Sequence, residues 1–439
     1  MALGGGVFIA QNKVLPGSYI NFVSASKASA TLSDRGIAAF PIAIGWGADN
    51  TVFTVTAGEF QKDSLKIFGY PYTADELKGI RDLFLNVREC HFYKLNSGGV
   101  KASSSKGTAK YPGTCGNKIK VVIASNENST SDTPLYDVTT YYDGTKVDEQ
   151  LGVKEASELK DNDFVTWSGS ALNLTSGENF SGGTDGTVAD GNYQKFLDAI
   201  ESYTFNTIGT TSTDDKIKKL FATFTKRMRD ECGVKFQCVL YKYTLADHEG
   251  IISVENKLVG ETTESGSLVY WVVGASAGCA VNRSLTNAIY NGEYDVDVSY
   301  TQTQLKDAIM GGKFIFHRVN DTVRVLEDIN TFTSVTVDKN ADFSSNQTIR
   351  ILDQVGNDIA MLFNTKYLGK VANNASGRIS FWNDIVKHHK ELEVIGAIEN
   401  FEPEKVIVNQ GDTKKSVEVT DTITPVNAMA QLYMTVIVE

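Results

Sequence analysis

Cysteine, long apolar runs, basic surplus and proline are all in short supply in this chain, and each shortage narrows what it does. Cys90, Cys115, Cys232, Cys238 and Cys279 are the only cysteines in 439 residues. Five widely scattered thiols suit a reducing compartment and free cysteines rather than a disulfide framework. No stretch approaches the roughly 18 consecutive apolar residues of a membrane-spanning helix. Asp and Glu number 53 against 42 Lys and Arg, a formal net charge of −11, so the clustered basic surface of a nucleic-acid binder is missing. Proline is rare, 7 against 38 glycines, which points to many tight turns in strand-rich structure. Residues 1–13 carry no basic stretch ahead of the short patch Val7-Phe8-Ile9, so they do not read as a secretory signal, and the chain reads as cytoplasmic at synthesis.

What is present is ordinary folding material. Hydrophobic residues make up 41% and charged residues 22%, the balance of a folded globular protein. The length exceeds what one core supports, so two to four domains are expected. The pattern predicts a multidomain α+β or α/β chain. Residues 1–25 read as an extended N-terminal arm. Residues 26–96 and 192–340 read as a mixed α/β core, interrupted by a β-rich insertion over 97–191. Residues 341–423 read as a C-terminal α+β domain, and 424–439 as a terminal strand arm.

Local signals fill in this outline. Thr73 and Glu76 have capping-box spacing, followed by Leu77, Ile80, Leu83, Phe84 and Val87 at helical intervals. His91–Leu95 should be the next strand. Within the insertion, Tyr136–Tyr142 and Thr145–Gln150 flank Asp143-Gly144, whose tolerance of positive φ fits a two-residue type I′ hairpin turn. Ser212 is placed to cap a helix carrying Ile217, Leu220, Phe221, Phe224 and Met228, which Gly233 stops. Val234–Tyr241 and Gly250–Val254 read as strands, Gln302–Met310 as a helix and Lys313–Val319 as a strand. Two longer helices are expected from about Asn346 to Asn364 and from about Ile379 to Leu392, followed by strands at Lys405–Val408 and Ser416–Thr422.

A search for catalytic or ligand-binding chemistry returns little. His388-His389 lies beside Lys387 and Lys390 on a polar helix face and reads as a solvated pair rather than a metal site. Cys232 and Cys238 lack zinc-ligand spacing and read as packed or free thiols. Asp247-His248-Glu249 reads as a solvated loop. Gly182-Gly183-Thr184-Asp185-Gly186 lacks the Lys-Ser/Thr of a P-loop and the closing Glu of an EF-hand, so it reads as a flexible loop. Neither GxSxG nor HExxH occurs. No enzyme, cofactor or metal is expected.

The distinctive feature is at the ends. Leu432-Tyr433-Met434-Thr435-Val436-Ile437-Val438 is a strong strand pattern, apolar at every even position. Near the start, Tyr19, Ile20, Phe22 and Val23 form a short strand signal with no adjacent hairpin partner. Terminal segments fray unless held, so each such strand must pair within its own sheet or with another molecule. Burying four side chains gives roughly 6 to 12 kcal/mol, whereas ordering seven backbone residues costs about 1 to 2 kcal/mol each. The two nearly cancel, so an arm needs a preformed acceptor.

The chain resembles the tail sheath proteins of contractile phages, especially those of Gram-positive hosts and their defective prophages. The resemblance runs through Gly4-Gly5-Gly6, Gln11 to Phe22, Leu32-Ser33-Asp34-Arg35-Gly36, Tyr111 to Ile123, Tyr142-Asp143-Gly144 and Val417 to Glu439, and is weakest in mid-insertion and over 255–300. It implies a structural subunit that polymerises with itself as stacked hexameric rings around an inner tail tube. Baseplate and tail terminator proteins would be further partners. The C-terminal domain would face inward and the insertion outward. Tyr19, Ile20, Phe22 and Val23 in one arm, and Leu432, Tyr433, Met434, Val436, Ile437 and Val438 in the other, would pair with sheets of neighbouring subunits, with hinges near 10–18 and 424–430. Contraction would drive the tube through a host envelope. The location implied is the virion tail or a tail-like particle assembled in the bacterial cytoplasm. A capsid-type or surface-layer polymer, or an α/β enzyme, are the alternatives.

Overall fold

The computed structural model describes residues 32–169, 171–260 and 266–438. It is a mixed α/β multidomain chain that divides into a larger unit, Ser33–Gly356 with Pro425–Glu439, and a smaller one holding Asn357–Thr424.

The larger unit is built on a seven-stranded sheet in the order Lys313–Phe314, Ile251–Val254, Gln237–Tyr241, Thr207–Gly209, Ile37–Ile42, Glu89–Lys94, Val52–Thr56. All neighbours are parallel except the last pair. A parallel sheet must be covered on both faces, and the side chains divide accordingly. Ala38, Phe40, Phe92, Val239 and Ile252 face helices Ala57–Phe68, Lys78–Phe84 and Leu268–Gly278. Ala39, Tyr93, Cys238, Leu240 and Ile251 face helices Asp190–Ile200 and Asp215–Lys226. The period-two alternation of each strand thus feeds two separate cores.

Several local expectations are corrected. Capping boxes form instead at Thr301 and Gln304 and at Thr56 and Glu59, where the Thr56 N–H donates to the Glu59 carboxylate (2.9 Å) and the Glu59 N–H to Thr56 Oγ1 (3.3 Å). Thr73 precedes and Glu76 lies within the short 3-10 helix Asp75–Leu77, whose N-cap residue, Ala74, makes no side-chain cap. Asp214, not Ser212, caps the helix Asp215–Lys226 by accepting the Lys216 N–H at 2.7 Å. The strand expected over Lys313–Val319 is split. Lys313–Phe314 joins the parallel sheet, and Phe316–Val319 turns into a hairpin with Thr322–Val325. Helix Leu268–Gly278 carries no amphipathic signature because nearly every position is buried. Gly274 and Gly278 let it pack tightly: a Cβ on either would stand 2.4 Å from the Leu83 carbonyl oxygen and 1.8 Å from that of Asn86.

The β-rich part is a four-stranded antiparallel sheet, Thr145–Val153, Tyr136–Tyr142, Ile119–Ser125, Thr175–Asn179. Its hairpin turns at Asp143 (φ 49°) and Gly144 (φ 79°), the type I′ signature. Trp46, Tyr142, Phe164, Val165 and Phe180 form the core beneath it. The glycine-rich segment is pinned rather than free. Val100 pairs with Thr184 and Ser103 with Ser181, while the Asp185 carboxylate accepts from the Thr114 N–H and hydroxyl, both at 2.9 Å.

The smaller unit holds the end of helix Asn346–Leu362, a π-helical turn over Phe363–Tyr367, helix Ala375–Val394, and a hairpin of Ile407–Gln410 with Val417–Thr420. Its apolar core is small: Leu362, Tyr367, Phe381, Ile385, Val386 and Val406. The Trp382 indole N–H ties the helix to the Val406 carbonyl at 2.9 Å.

Candidate functional site

The C-terminal segment enters its final stretch from a fixed point on the larger unit. Gln347, at the start of helix Asn346–Leu362, clasps it with both ends of one amide. The Gln347 Nε2–H donates to the Val426 carbonyl (2.9 Å) and the Ala428 N–H to Gln347 Oε1 (3.0 Å). Asn427 adds hydrogen bonds with Ser345 and Thr348, both at 3.1 Å. The clasp is itself braced. Asn346 donates from its backbone and side chain to Asp328, which also accepts from Arg350 and from the Leu285 N–H. Farther along the same helix, Asp353 takes two hydrogen bonds from buried Arg229, at 2.7 and 2.8 Å. Removing one partner of such a buried pair leaves the other uncompensated.

Beyond Ala428 the support stops. Met429 is 102% exposed, Leu432 84%, Tyr433 88%, Met434 73%, Val436 70%, Ile437 83% and Val438 89%. No strand of the described residues includes any of them; the one side-chain bond is local, Tyr433 Oη–H to Gln431 at 2.8 Å. The strand pattern seen in the sequence is therefore not realised within the single chain. Strand geometry needs a partner ladder, and apolar side chains this exposed signal a surface awaiting one. Tyr19, Ile20, Phe22 and Val23 lie outside the described residues.

A matching deficit exists in the smaller unit. The hairpin Ile407–Gln410/Val417–Thr420 is a sheet of only two strands among the described residues, and such a hairpin is marginal alone. Val408 and Val417 pack toward the core, while Ile407 (47% exposed) and Val419 (37%) stand open. Unpaired strand edges accept further strands.

Two polar clusters differ from expectation. Asp247-His248-Glu249 is no solvated loop: His248 and Glu249 are buried. With Asp230 they form the described residues' one grouping that has metal-ligand spacing. The hydrogen bonds oppose that use. The Gly250 N–H donates to His248 Nδ1 (3.0 Å), so Nε2 carries the proton and donates to Asp230 (3.1 Å), leaving no lone pair for a cation. Glu249 is held by Lys339 at 2.7 Å. Burial pushes the His248 imidazole below its usual range against the pull of Glu249 and Asp230. For Glu249, burial acts upward, but Lys339 and His248 prevail and hold the carboxyl below its usual range. Asp247 accepts the Thr333 and Ser334 N–H groups. The cluster fastens two loops together.

His388 and His389 are likewise buried, not solvated. Each imidazole Nε2 meets a carboxylate: Asp358 at 2.9 Å for His388 and Asp421 at 2.6 Å for His389. The sequence hid this because both acids lie about 30 residues away. Cys238 is buried and Cys232 exposed, both free. A cleft of about 320 Å³ in the larger unit is lined by Phe53, Glu59, Asp63, Lys66, Lys110 and Tyr111 among others. Two of its cations are paired, Lys66 with Asp63 and Lys110 with Asp163, and no nucleophile–base pair stands among these residues.

Four family models match successive parts of the chain. They are described as the tail sheath protein Gp18 domain III N-terminal region (35–88), the phage tail sheath protein beta-sandwich domain (96–185), the phage tail sheath protein central domain (186–331) and the phage tail sheath C-terminal domain (338–439). The Bacillus subtilis phage-like element PBSX protein XkdK is 32% identical over 99% of both chains. The crystal structure of a sheath tail protein from Desulfitobacterium hafniense is 35% identical, covers 94% of this chain and 97% of its own, and superposes with a TM-score of 0.80. More distantly, the anti-feeding prophage helical sheath in its contracted state shares the fold, at 12% identity and a TM-score of 0.56 over 96% of this chain and 98% of its own. This chain belongs to the phage tail sheath family, a family of structural tail components rather than enzymes.

Proposed function

We propose that this sheath subunit polymerises by strand exchange, in stacked hexameric rings around a tail tube, and that the lattice shortens to drive the tube through a host envelope. The observation that carries the reading is the stretch 429–438: apolar, almost fully exposed, and rooted by the Gln347 clasp. Ten extended residues reach about 33 to 36 Å, enough to cross to a neighbouring subunit. The acceptor is the two-stranded hairpin of another copy, where an added strand gains main-chain hydrogen bonds and seats alternate side chains. Leu432, Met434, Val436 and Val438 fall on one side of such a strand, and we assign that side to the face carrying Val408 and Val417. Tyr19, Ile20, Phe22 and Val23 supply the reciprocal arm.

A head-to-tail donation of this kind does not close on itself within a pair, so it propagates. The hinge expected over 424–430 narrows, because Val426–Ala428 are held; free swing starts at Met429. Rings that stay linked by such swinging strands can rotate while the bulky domain faces repack. The contracted-state likeness in fold supports this. In this reading 97–191 faces outward and the C-terminal domain, 341–423, inward toward the tube, with baseplate and terminator proteins as further partners and assembly in the host cytoplasm.

The test is electron microscopy of the purified full chain beside a variant lacking 429–439. The full chain is expected to form tubes or stacked rings, and the shortened chain to stay folded and unassembled. Unchanged tubes from the shortened chain would remove the mechanism.

A further inference from the structure

The described chain enters the larger unit under a close grip. Gln354 Nε2–H donates to the Ser33 carbonyl (3.1 Å) and to Ser33 Oγ (2.7 Å). Arg35 follows, donating from Nε to the Cys279 carbonyl (2.9 Å) and from Nη2 to that of Ser276 (3.0 Å). These lie at the C-terminal end of helix Leu268–Gly278, where carbonyls have no partner within the helix. Asn206 Oδ1 then accepts the Gly36 and Ile37 N–H groups, both at 3.0 Å, at the mouth of strand Ile37–Ile42. Ser33 is exposed, so apolar packing contributes little to holding it.

Gln354 stands seven residues after Gln347 on helix Asn346–Leu362. Seven residues make about two turns and about 10.5 Å of rise, so both amides leave one face of the helix. Both residues are buried, at 3% and 4% exposure. Burying an amide is costly unless it is hydrogen-bonded, and an apolar side chain would fill either position without that cost. Each amide is directed at main chain: Gln347 at Val426 and Ala428, Gln354 at Ser33. Main-chain bonds fix where a backbone runs whatever side chains it carries. Arg350 and Asp353, on the same stretch of helix, are held by Asp328 and Arg229, which fixes the element that carries both glutamines.

We propose that Gln354 is the positioning residue for the N-terminal arm, as Gln347 is for the C-terminal one, and that one face of helix Asn346–Leu362 is the common root of both. The consequence for assembly rests on the strand-exchange reading; the hold of Gln354 on Ser33 does not. Under that reading a subunit's two links to its neighbours start from a single helix, at a spacing set by two helical turns rather than by the packing of domains. Segments from opposite ends of the sequence are thereby kept in register with each other.

The measurement is hydrogen exchange of peptides 32–37 and 424–430 in the unassembled full chain. Gln354→Glu keeps the shape but has no N–H to donate, and sets a carboxylate oxygen against the Ser33 carbonyl. It is expected to lower protection of 32–37 at least tenfold and to leave 424–430 unchanged. Gln347→Glu keeps an acceptor for the Ala428 N–H but loses the donor to Val426, and is expected to loosen 424–430 alone. Ser33→Ala removes one of the two Gln354 bonds from an exposed position, is expected to loosen 32–37 about threefold, and serves if Gln354→Glu melts early. Unchanged exchange of 32–37 in both Gln354→Glu and Ser33→Ala overturns the root, and so does equal loosening of both peptides by Gln354→Glu, the mark of a damaged helix. In electron microscopy, Gln354→Glu is expected to need at least tenfold more protein to form tubes. Tubes at the wild-type concentration with 32–37 loosened overturn its positioning role. Unchanged tubes from the chain lacking 429–439 would instead remove the strand-exchange reading and leave the hold on Ser33 standing.

Discussion

Leu268–Gly278 and Leu432–Val438 are the most apolar segments of their neighbourhoods, and their surroundings are opposite. Leu268, Val269, Val272 and Val273 are each 0% exposed beneath the parallel sheet. Leu432, Val436 and Ile437 are 70–84% exposed. Composition therefore fixes that a segment must be covered, not by what. A helix satisfies its own backbone and asks only for side-chain contacts, which one chain supplies. An extended strand leaves its backbone groups unpaired as well, so its partner must bring both a ladder and an apolar face.

The sharpest way to break the comparison is to delete each segment's contribution in turn. Removing 429–439 is expected to abolish tube formation while shifting the melting temperature little, as seen by microscopy and calorimetry. Paired substitutions come next. Val272→Lys places an unpaired charge in a sealed core and is expected to unfold the larger unit. Val436→Lys is expected to leave the unassembled chain within about 0.5 kcal/mol of wild type while weakening polymerisation, read by sedimentation. Gly274→Ala should cost about 1 to 3 kcal/mol by overpacking against Leu83, measured by denaturant unfolding, with assembly intact at temperatures where the chain stays folded.

The smallest effect concerns pH. His248 is held below its usual range by burial, so its contribution is present above the unfolded value, near 6.5, and is lost as pH falls. One group changes stability by at most about 1.4 kcal/mol per pH unit. His248→Gln is expected to flatten the decline of the larger unit between about pH 6.5 and 5.

Much of the architecture was legible in the sequence because it follows local rules. Asp143-Gly144 announces its hairpin through positive φ, and Gln302–Met310 announces its helix through period and the glycines after it; both stand as read. Helix Leu268–Gly278 was invisible because burial on all sides erases periodicity. The polar face of Asn346–Leu362 was missed for a related reason. Gln347, Arg350 and Asp353 look like solvent-facing residues until the Val426–Ala428 segment, Asp328 and Arg229 arrive from elsewhere in the chain to meet them. Of the candidate exchange segment, the apolar alternation of Leu432–Val438 was plain, but the clasp at its root was not. Nothing local distinguishes a glutamine that clasps a backbone segment about 80 residues away from one that faces water.

The Gln347 clasp also settles how a tug on the tail end would travel. Both of its hydrogen bonds grip the same short stretch of main chain, Val426 to Ala428. A pull along Met429–Val438 therefore loads them together rather than one after the other, the stronger of the two ways to stress a pair of bonds. The strain would pass to the beginning of a helix held by Asp328 and Arg229. Under the proposed strand exchange, a pull from a neighbour would thus load the larger unit at Gln347 rather than unravel the chain from its end.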